Sequence, residues 1–307
     1  IRFVAAMNGV TAPDPEKAYR YVELGCGQGF VTNILAAANP HAEFVGIDLN
    51  PAHIINAREM ARDAQLSNVT FREESFRETA EMDDTSFPPV DYIVLHSIIS
   101  WIPYENLEAI RKLIESKLKS GGIVYISYNS MPGWAELQPI RQLFYEYAKR
   151  TTGGSGQRVS AAADWASRLL QSNLAYFEIN PSARQRIEEM LSKSEAYLAH
   201  EYLSEIWRPN YVTEVVEELG RAKLNFVAPA NAVESFGDMY VAEDTMARVR
   251  EAPDRPLAEM IKDYACNQWF RRDLFVRGMR DLTAARQREQ LEKLSFAPLV
   301  SDPEADF

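Results

Sequence analysis

Along its first half the chain shows two kinds of apolar spacing in turn. Short apolar runs predict strands at 20–25, 43–48, 68–72, 90–96 and 122–128, and helical spacing predicts helices at about 30–38, 51–64 and 104–118. Such alternation predicts an α/β fold with a parallel sheet covered on both faces. Asn50-Pro51 reads as an N-cap followed by proline at the first helical position, and Gly121-Gly122 as the C-cap ahead of the fifth strand. Before the first strand, Phe3, Val4 and Met7 have helical spacing, and Pro13 and Pro15 mark a linker.

The pattern breaks at Thr151-Thr152-Gly153-Gly154-Ser155-Gly156. From there to about residue 207 the apolar positions (Trp165, Leu169, Leu170, Ile187, Met190, Leu191, Tyr197, Leu198) are helical, with no strand candidate, so a helical insertion or cap is expected. Past Pro209 a helix is expected from Tyr211 to about Arg221, then a strand at Leu224–Ala228. Two short runs compete for a further strand, Met239-Tyr240-Val241 and Leu274-Phe275-Val276. The expected organisation is a core over 1–150, an insertion over 151–208, a further region over 209–295 that returns strands to the sheet, and a proline- and acid-containing tail over 296–307.

Composition narrows the class. Hydrophobic residues are 46% and charged residues 25% of 307, and no apolar run reaches the roughly 18 residues that argue for a membrane span. A net charge of −11 argues against non-specific nucleic-acid binding, which needs clustered positive charge. The one basic run, Arg271-Arg272 through Arg277 and Arg280, reads as a solvated or ion-paired helix face. Two cysteines, Cys26 and Cys266, make no disulfide framework and fit a reducing, cytoplasmic setting. No signal peptide is visible, although the chain begins at Ile1.

The candidate chemistry centres on Tyr21-Val22-Glu23-Leu24-Gly25-Cys26-Gly27-Gln28-Gly29, a strand-to-helix turn. Alternate glycines permit positive φ and close approach of a ligand, and the helix that begins near Phe30 offers free N–H groups. A dinucleotide site would need glycine where Phe30 stands. The second strand ends in Asp48, placed to accept from ribose hydroxyls with charge assistance. Glu23 would repel a diphosphate but attract an ammonium.

This segment resembles the first motif, E-x-G-x-G-x-G, of the class I S-adenosylmethionine-dependent methyltransferases. The resemblance implies a Rossmann-like, seven-stranded sheet with a helical insertion, S-adenosylmethionine as cofactor and S-adenosylhomocysteine as product. It places Glu23, Gly25, Cys26, Gly27, Gly29, Asp48 and Leu49 along the cofactor. After the third strand, where many such enzymes carry an acid for the adenine amino group, this chain has Ser75, with Glu74 as a stand-in; Phe76 either covers the adenine or belongs to the core. Tyr128-Asn129-Ser130-Met131-Pro132-Gly133-Trp134, His200-Glu201-Tyr202-Leu203 and Phe270-Arg271-Arg272-Asp273-Leu274 resemble signatures of bacterial methyltransferases with a methyltransferase regulatory domain, a group that includes rickettsial protein lysine methyltransferases.

His96, at the end of the fourth strand, reads either as a proton acceptor or as a residue that touches the cofactor through its backbone. Asn129 reads as a group that orients the acceptor, walled by Tyr128 or Trp134, or as part of a turn around Pro132-Gly133. His200 and Glu201 read as packing or capping residues in a helix. His41, His53, His96 and His200 are scattered, and no metal-ligand spacing occurs. Methyl transfer needs no metal, only alignment and exclusion of water. The expected function is methyl transfer to nitrogen or oxygen, with a protein lysine as the acceptor that the resemblance implies. A small-molecule acceptor and a non-catalytic cofactor-binding regulatory module are the alternatives, and self-association as a homodimer is left open.

Overall fold

Five parallel strands form one half of a mixed sheet: β1 Arg20–Leu24, β2 Glu43–Asp48, β3 Val69–Glu73, β4 Val90–His96 and β5 Leu118–Asn129. In this computed structural model, which describes residues 1–278 and 282–296, β6 Leu224–Pro229 and β7 Phe270–Arg277 complete the order β3-β2-β1-β4-β5-β7-β6. β7 is antiparallel to both of its neighbours. Of the two competing runs, Leu274–Val276 is therefore the strand, whereas Met239 ends a short 3₁₀ segment and Tyr240 and Val241 turn away from it.

Side-chain alternation splits the core into two layers. Tyr21, Phe44, Tyr92, Val94, Ile123 and Leu274 pack with α1 Arg2–Met7 and α2 Phe30–Ala38 on one face, while α3 Pro51–Asp63 rests on β2 and β3 through Ile54, Ala57 and Phe71. Val22, Leu24, Ile93, Leu95, Val124 and Phe275 face the other way. They meet α5 Tyr104–Lys117 and α11 Val212–Gly220; the short α4 Phe76–Glu81 precedes α5. Between α5 and α11 in sequence come α6 Gln138–Arg150, α7 Ser155–Leu170, α8 Ala175–Ile179, α9 Pro181–Leu191 and α10 Glu195–Tyr202. These five helices share a core of their own, from Trp134, Leu137 and Phe144 through Val159, Ala166 and Ile187 to Leu198 and Tyr202. Gly153 and Gly154 thus join two helices of one cluster, and that cluster extends back to Trp134.

Three details differ from the sequence-based expectation. Helix α5 stops at Lys117, capped at Leu118, so Gly121-Gly122 does not end it. Gly121 instead sits at φ +81° inside β5, where the register with β4 jumps from Val90↔Leu118 to Tyr92↔Ile123, a bulge that only a glycine accommodates easily. Two helices, α12 Glu243–Glu251 and α13 Arg255–Cys266, fill the stretch between β6 and β7, and α14 Ala284–Glu292 closes over α1. The basic run is strand β7 and not a helix face: Arg271 is buried among carboxylates, Arg272 is exposed, and Arg280 lies outside the described residues. The 296–307 tail, after Phe296, also lies outside them. No helix among the described residues is long and apolar enough to cross a membrane.

Candidate active site

The strand register gathers the candidate groups. Glu23 pairs with Gly46 and Val94, and His96 pairs with Ser127. Because alternate residues share a face, Glu23, Asp48, His96 and Asn129 all fall on the α1/α2 face, at the C-terminal ends of their strands. In open α/β sheets that edge is where ligands bind.

At the turn itself Gly25, Gly27 and Gly29 take φ of +69°, +53° and +71°. Their surroundings differ. A Cβ at Gly29 would lie 2.6 Å from Ala57 and Phe71, and one at Gly25 would run into Ile98, so these two glycines allow close packing. A Cβ at Gly27 would meet nothing within 4 Å; the space in front of it is open for a ligand. The turn is braced from β2, since Asp48 Oδ2 accepts from Gly27 N at 2.9 Å and Oδ1 accepts from Asn50 N at 2.8 Å, with His53 Nδ1 3.3 Å from Oδ1. Asn50 caps α3 by accepting from Ala52 N, and Leu49 is exposed beside it, an apolar surface at the rim.

Glu23 is buried, and one of its oxygens accepts from the Thr32 hydroxyl. Burial pushes its pKa above the ordinary carboxylate value, and the Thr32 hydrogen bond acts against that. Oε1 accepts no hydrogen bond among the described residues, which leaves a carboxylate oxygen for a cation. Cys26 is kept a thiol: burial, with Asp48 and Glu23 nearby, pushes its pKa up to about 12.

Ser75 and Phe76 have local duties. Ser75 Oγ accepts from Glu78 N while Glu78 Oε2 accepts from Ser75 N, a capping box that starts α4. Glu74 lies 3.5 Å from Arg72 and accepts from Thr79 Oγ1, and Phe76 packs half-buried against the main core.

His96 projects at the rim, its ring 6.2 Å from and parallel to that of Tyr125, with Nδ1 3.4 Å from Ser127 Oγ. Partial burial and the charge of Arg272 hold its pKa below the ordinary histidine value, which favours the neutral ring. Asn129 is buried. Its Nδ2 donates to Glu201 Oε1 at 2.5 Å, and its N–H donates to Ser100 Oγ at 3.0 Å. The three later signatures thus meet in one joint: Asn129 with Glu201, Tyr128 OH with Asp273 Oδ2 at 2.6 Å, and Trp134 Nε1 with the Trp269 carbonyl at 3.0 Å. Gly133 is required there, because a Cβ would press on the backbone of Gln268 and Trp269.

Residues 15–176, more than half of the chain, match the family described as methyltransferase domain, and residues 194–277 match the predicted methyltransferase regulatory domain. The chain belongs to the S-adenosylmethionine-dependent methyltransferases. The methyltransferase chain is 38% identical over 294 residues to an uncharacterized protein of Synechocystis sp., covering 96% of this chain and 58% of that protein. It is 29% identical over 283 residues to an uncharacterized protein of Rickettsia prowazekii, covering 88% and 48%. Its fold is that of PKMT2 from Rickettsia typhi in complex with AdoHcy, with a TM-score of 0.72 at 23% identity over 90% of this chain and 52% of that one. The methyltransferase chain therefore spans about half the length of each of these three proteins.

Sequence reasoning missed Thr32, Ile98, Ser100, Trp101 and the tie between Asn129 and Glu201. Thr32 lies one helical turn or so past the glycines but carries no mark of its partner, and a contact across 72 positions leaves none either.

Proposed function

We propose that the whole protein transfers a methyl group to an amine, with a protein lysine side chain as the acceptor. The observation that carries this reading is the open space before Gly27, flanked by the available oxygen of Glu23 and by Asp48 on one face of the sheet edge. Glu23 would hold the cofactor's amino-acid ammonium, directly or through water, Asp48 its ribose hydroxyls, and Leu49 the rim beside the base. When bound, S-adenosylmethionine supplies a sulfonium-activated methyl group that passes to the acceptor lone pair as the carbon–sulfur bond breaks, leaving S-adenosylhomocysteine.

The chain's own share of the work is alignment, exclusion of water and handling of a proton. A lysine ammonium has no lone pair at neutral pH, so the site must favour the neutral amine. In this reading His96, whose pKa lies below the ordinary histidine value, takes a proton at the rim, and the helical layer joined to the edge through Asn129 and Glu201 shields the acceptor. The resemblance to lysine-modifying relatives supports the protein acceptor; a net charge of −11 favours a basic segment by long-range attraction. Incubation with cofactor labelled in its methyl group, with cell extract divided into protein and small-molecule fractions, tests this. Label on lysine in the protein fraction is expected. Label confined to small molecules would reject the protein acceptor, and no product in either fraction would reject transferase activity.

A further inference from the structure

Between the sheet edge and the helical layer sits a carboxylate that has hydrogen bonds but no salt bridge among the described residues. Glu201, on α10, is 5% exposed. Its Oε1 accepts from Asn129 Nδ2 at 2.5 Å and from Trp207 Nε1 at 3.1 Å. Its Oε2 accepts nothing among the described residues and is not sealed from solvent. Nor does Glu201 form a salt bridge among the described residues. The nearby guanidinium of Arg141 donates from Nη2 to the Ser204 carbonyl and lies against the rings of Tyr145 and Trp207, at 4.9 and 5.2 Å, with its buried Nε making no hydrogen bond among the described residues. Burial raises the pKa of Glu201, opposed by the hydrogen bonds from Trp207 and Asn129 and by the charges of His200 and Arg141. A buried carboxylate left without an ion-pair partner is costly, and a cation that reaches it offsets part of that cost.

The loop after β4 ties this carboxylate to the cofactor turn. Ile98 fills the space that Gly25 leaves, Ser100 Oγ accepts from Asn129 N, and Trp101 stacks on His200 with ring centroids 5.3 Å apart at 27°. Within four residues the chain runs from the glycine turn to the flank of Glu201.

We propose that Glu201 is the binding residue for the acceptor's alkylammonium group, with Oε2 holding a lysine-type side chain while Asn129 and Trp207 fix the carboxylate through Oε1. This rests on the amine-acceptor reading and extends it. The site takes up primary amines as ammonium ions and turns away carboxylates and uncharged alkyl chains, because only a cation compensates the buried charge; the ammonium gives up its proton before transfer, so Glu201 serves uptake and not the methyl-transfer step.

The test uses Nα-acetyl-lysine methylamide and its uncharged counterpart Nα-acetyl-norleucine methylamide as probes, titrated into the protein loaded with S-adenosylhomocysteine and followed by tryptophan fluorescence. The wild type should bind the lysine probe at least tenfold more tightly than the norleucine probe. Glu201→Gln keeps an oxygen for Asn129 and Trp207 but removes the charge, and it should abolish that preference. Equal affinity for the two probes in the wild type would overturn the proposal without need of any variant, as would a preference that persists in Glu201→Gln. Lost preference with label still arriving on protein lysine would remove the site and leave the reaction; intact preference with no methyl transfer to any fraction would do the reverse.

Discussion

Replacing Asp263 with asparagine should remove a pH-dependent weakness from the joint between α13 and the sheet. Arg271, 2% exposed, faces three carboxylates: Asp273 at 2.8 Å, Asp263 at 2.5 Å and Glu259 at 3.3 Å. Lys262 adds a second cation only to Glu259, and the buried Oδ2 of Asp263 has no partner. Burial therefore outweighs the attraction of Arg271 and pushes Asp263 from 3.8 up to about 7. A carboxyl with a raised folded-state pKa contributes stability that is fully present below its unfolded pKa and is lost as pH rises through the folded one. Between pH 5 and pH 8 this one group should cost the wild type about 2–3 kcal/mol, from a slope of up to about 1.4 kcal/mol per pH unit. Asparagine imitates the protonated acid and does not titrate, while its oxygen still accepts from Arg271 Nη1. Urea denaturation of both proteins at unit steps of pH would give a difference curve, in which the groups common to both cancel. The expected curve moves in favour of the variant by that amount as pH rises. A difference that stays constant within about 0.5 kcal/mol would refute the reasoning, because the proton would then not be held in the folded state.

Asp48→Ala removes the acceptor for Gly27 N as well as for the ribose hydroxyls, and S-adenosylmethionine binding followed by calorimetry should weaken by about 1.5–3 kcal/mol with the sheet intact. Unchanged affinity would detach Asp48 from the site. Gly27→Ala and Gly29→Ala should separate binding from stability. Both carry left-handed strain of about 1–2 kcal/mol, but Gly29→Ala also clashes with Ala57 and Phe71 and should lose a further 1–3 kcal/mol or so in denaturation. Gly27→Ala should instead lose tenfold or more in cofactor affinity, since its methyl enters the ligand's space; equal affinities in the two variants would contradict the assignment of that space.

How much of this was legible in the sequence depended on whether a requirement shows itself locally. The glycine turn did so, because positive φ restricts residue type and because strand ends carrying Glu23 and Asp48 stand at fixed offsets from it. The strands of the parallel half were readable for the same reason, as continuous apolar runs. Gly121-Gly122 misled because a glycine pair after a helix marks a C-cap and a bulge alike, and only the partner strand decides between them. Arg271 belongs to a run that reads as a solvated or ion-paired helix face; the ion pairs are there but on a buried strand, and although Glu259 and Asp263 stand four apart on one helix face, nothing local says which cation they meet. Asn129 with Glu201 and Tyr128 with Asp273, 72 and 145 positions apart, are single pairings without period or spacing, and only the folded chain brings them together.

The placement of β7 also sets an order of assembly. It lies between β5 and β6, although both are made long before it, so β6 has no partner in the sheet and the outer edge of β5 stays bare until residues near 270 have left the ribosome. An unpaired edge is an invitation to another chain. The cofactor-binding half, β1 to β5, is complete by residue 129, so a nascent or prematurely ended chain would carry a finished ligand turn beside an unfinished border. β7, the last strand among the described residues, thus closes that gap and moves the border of the sheet out to β6.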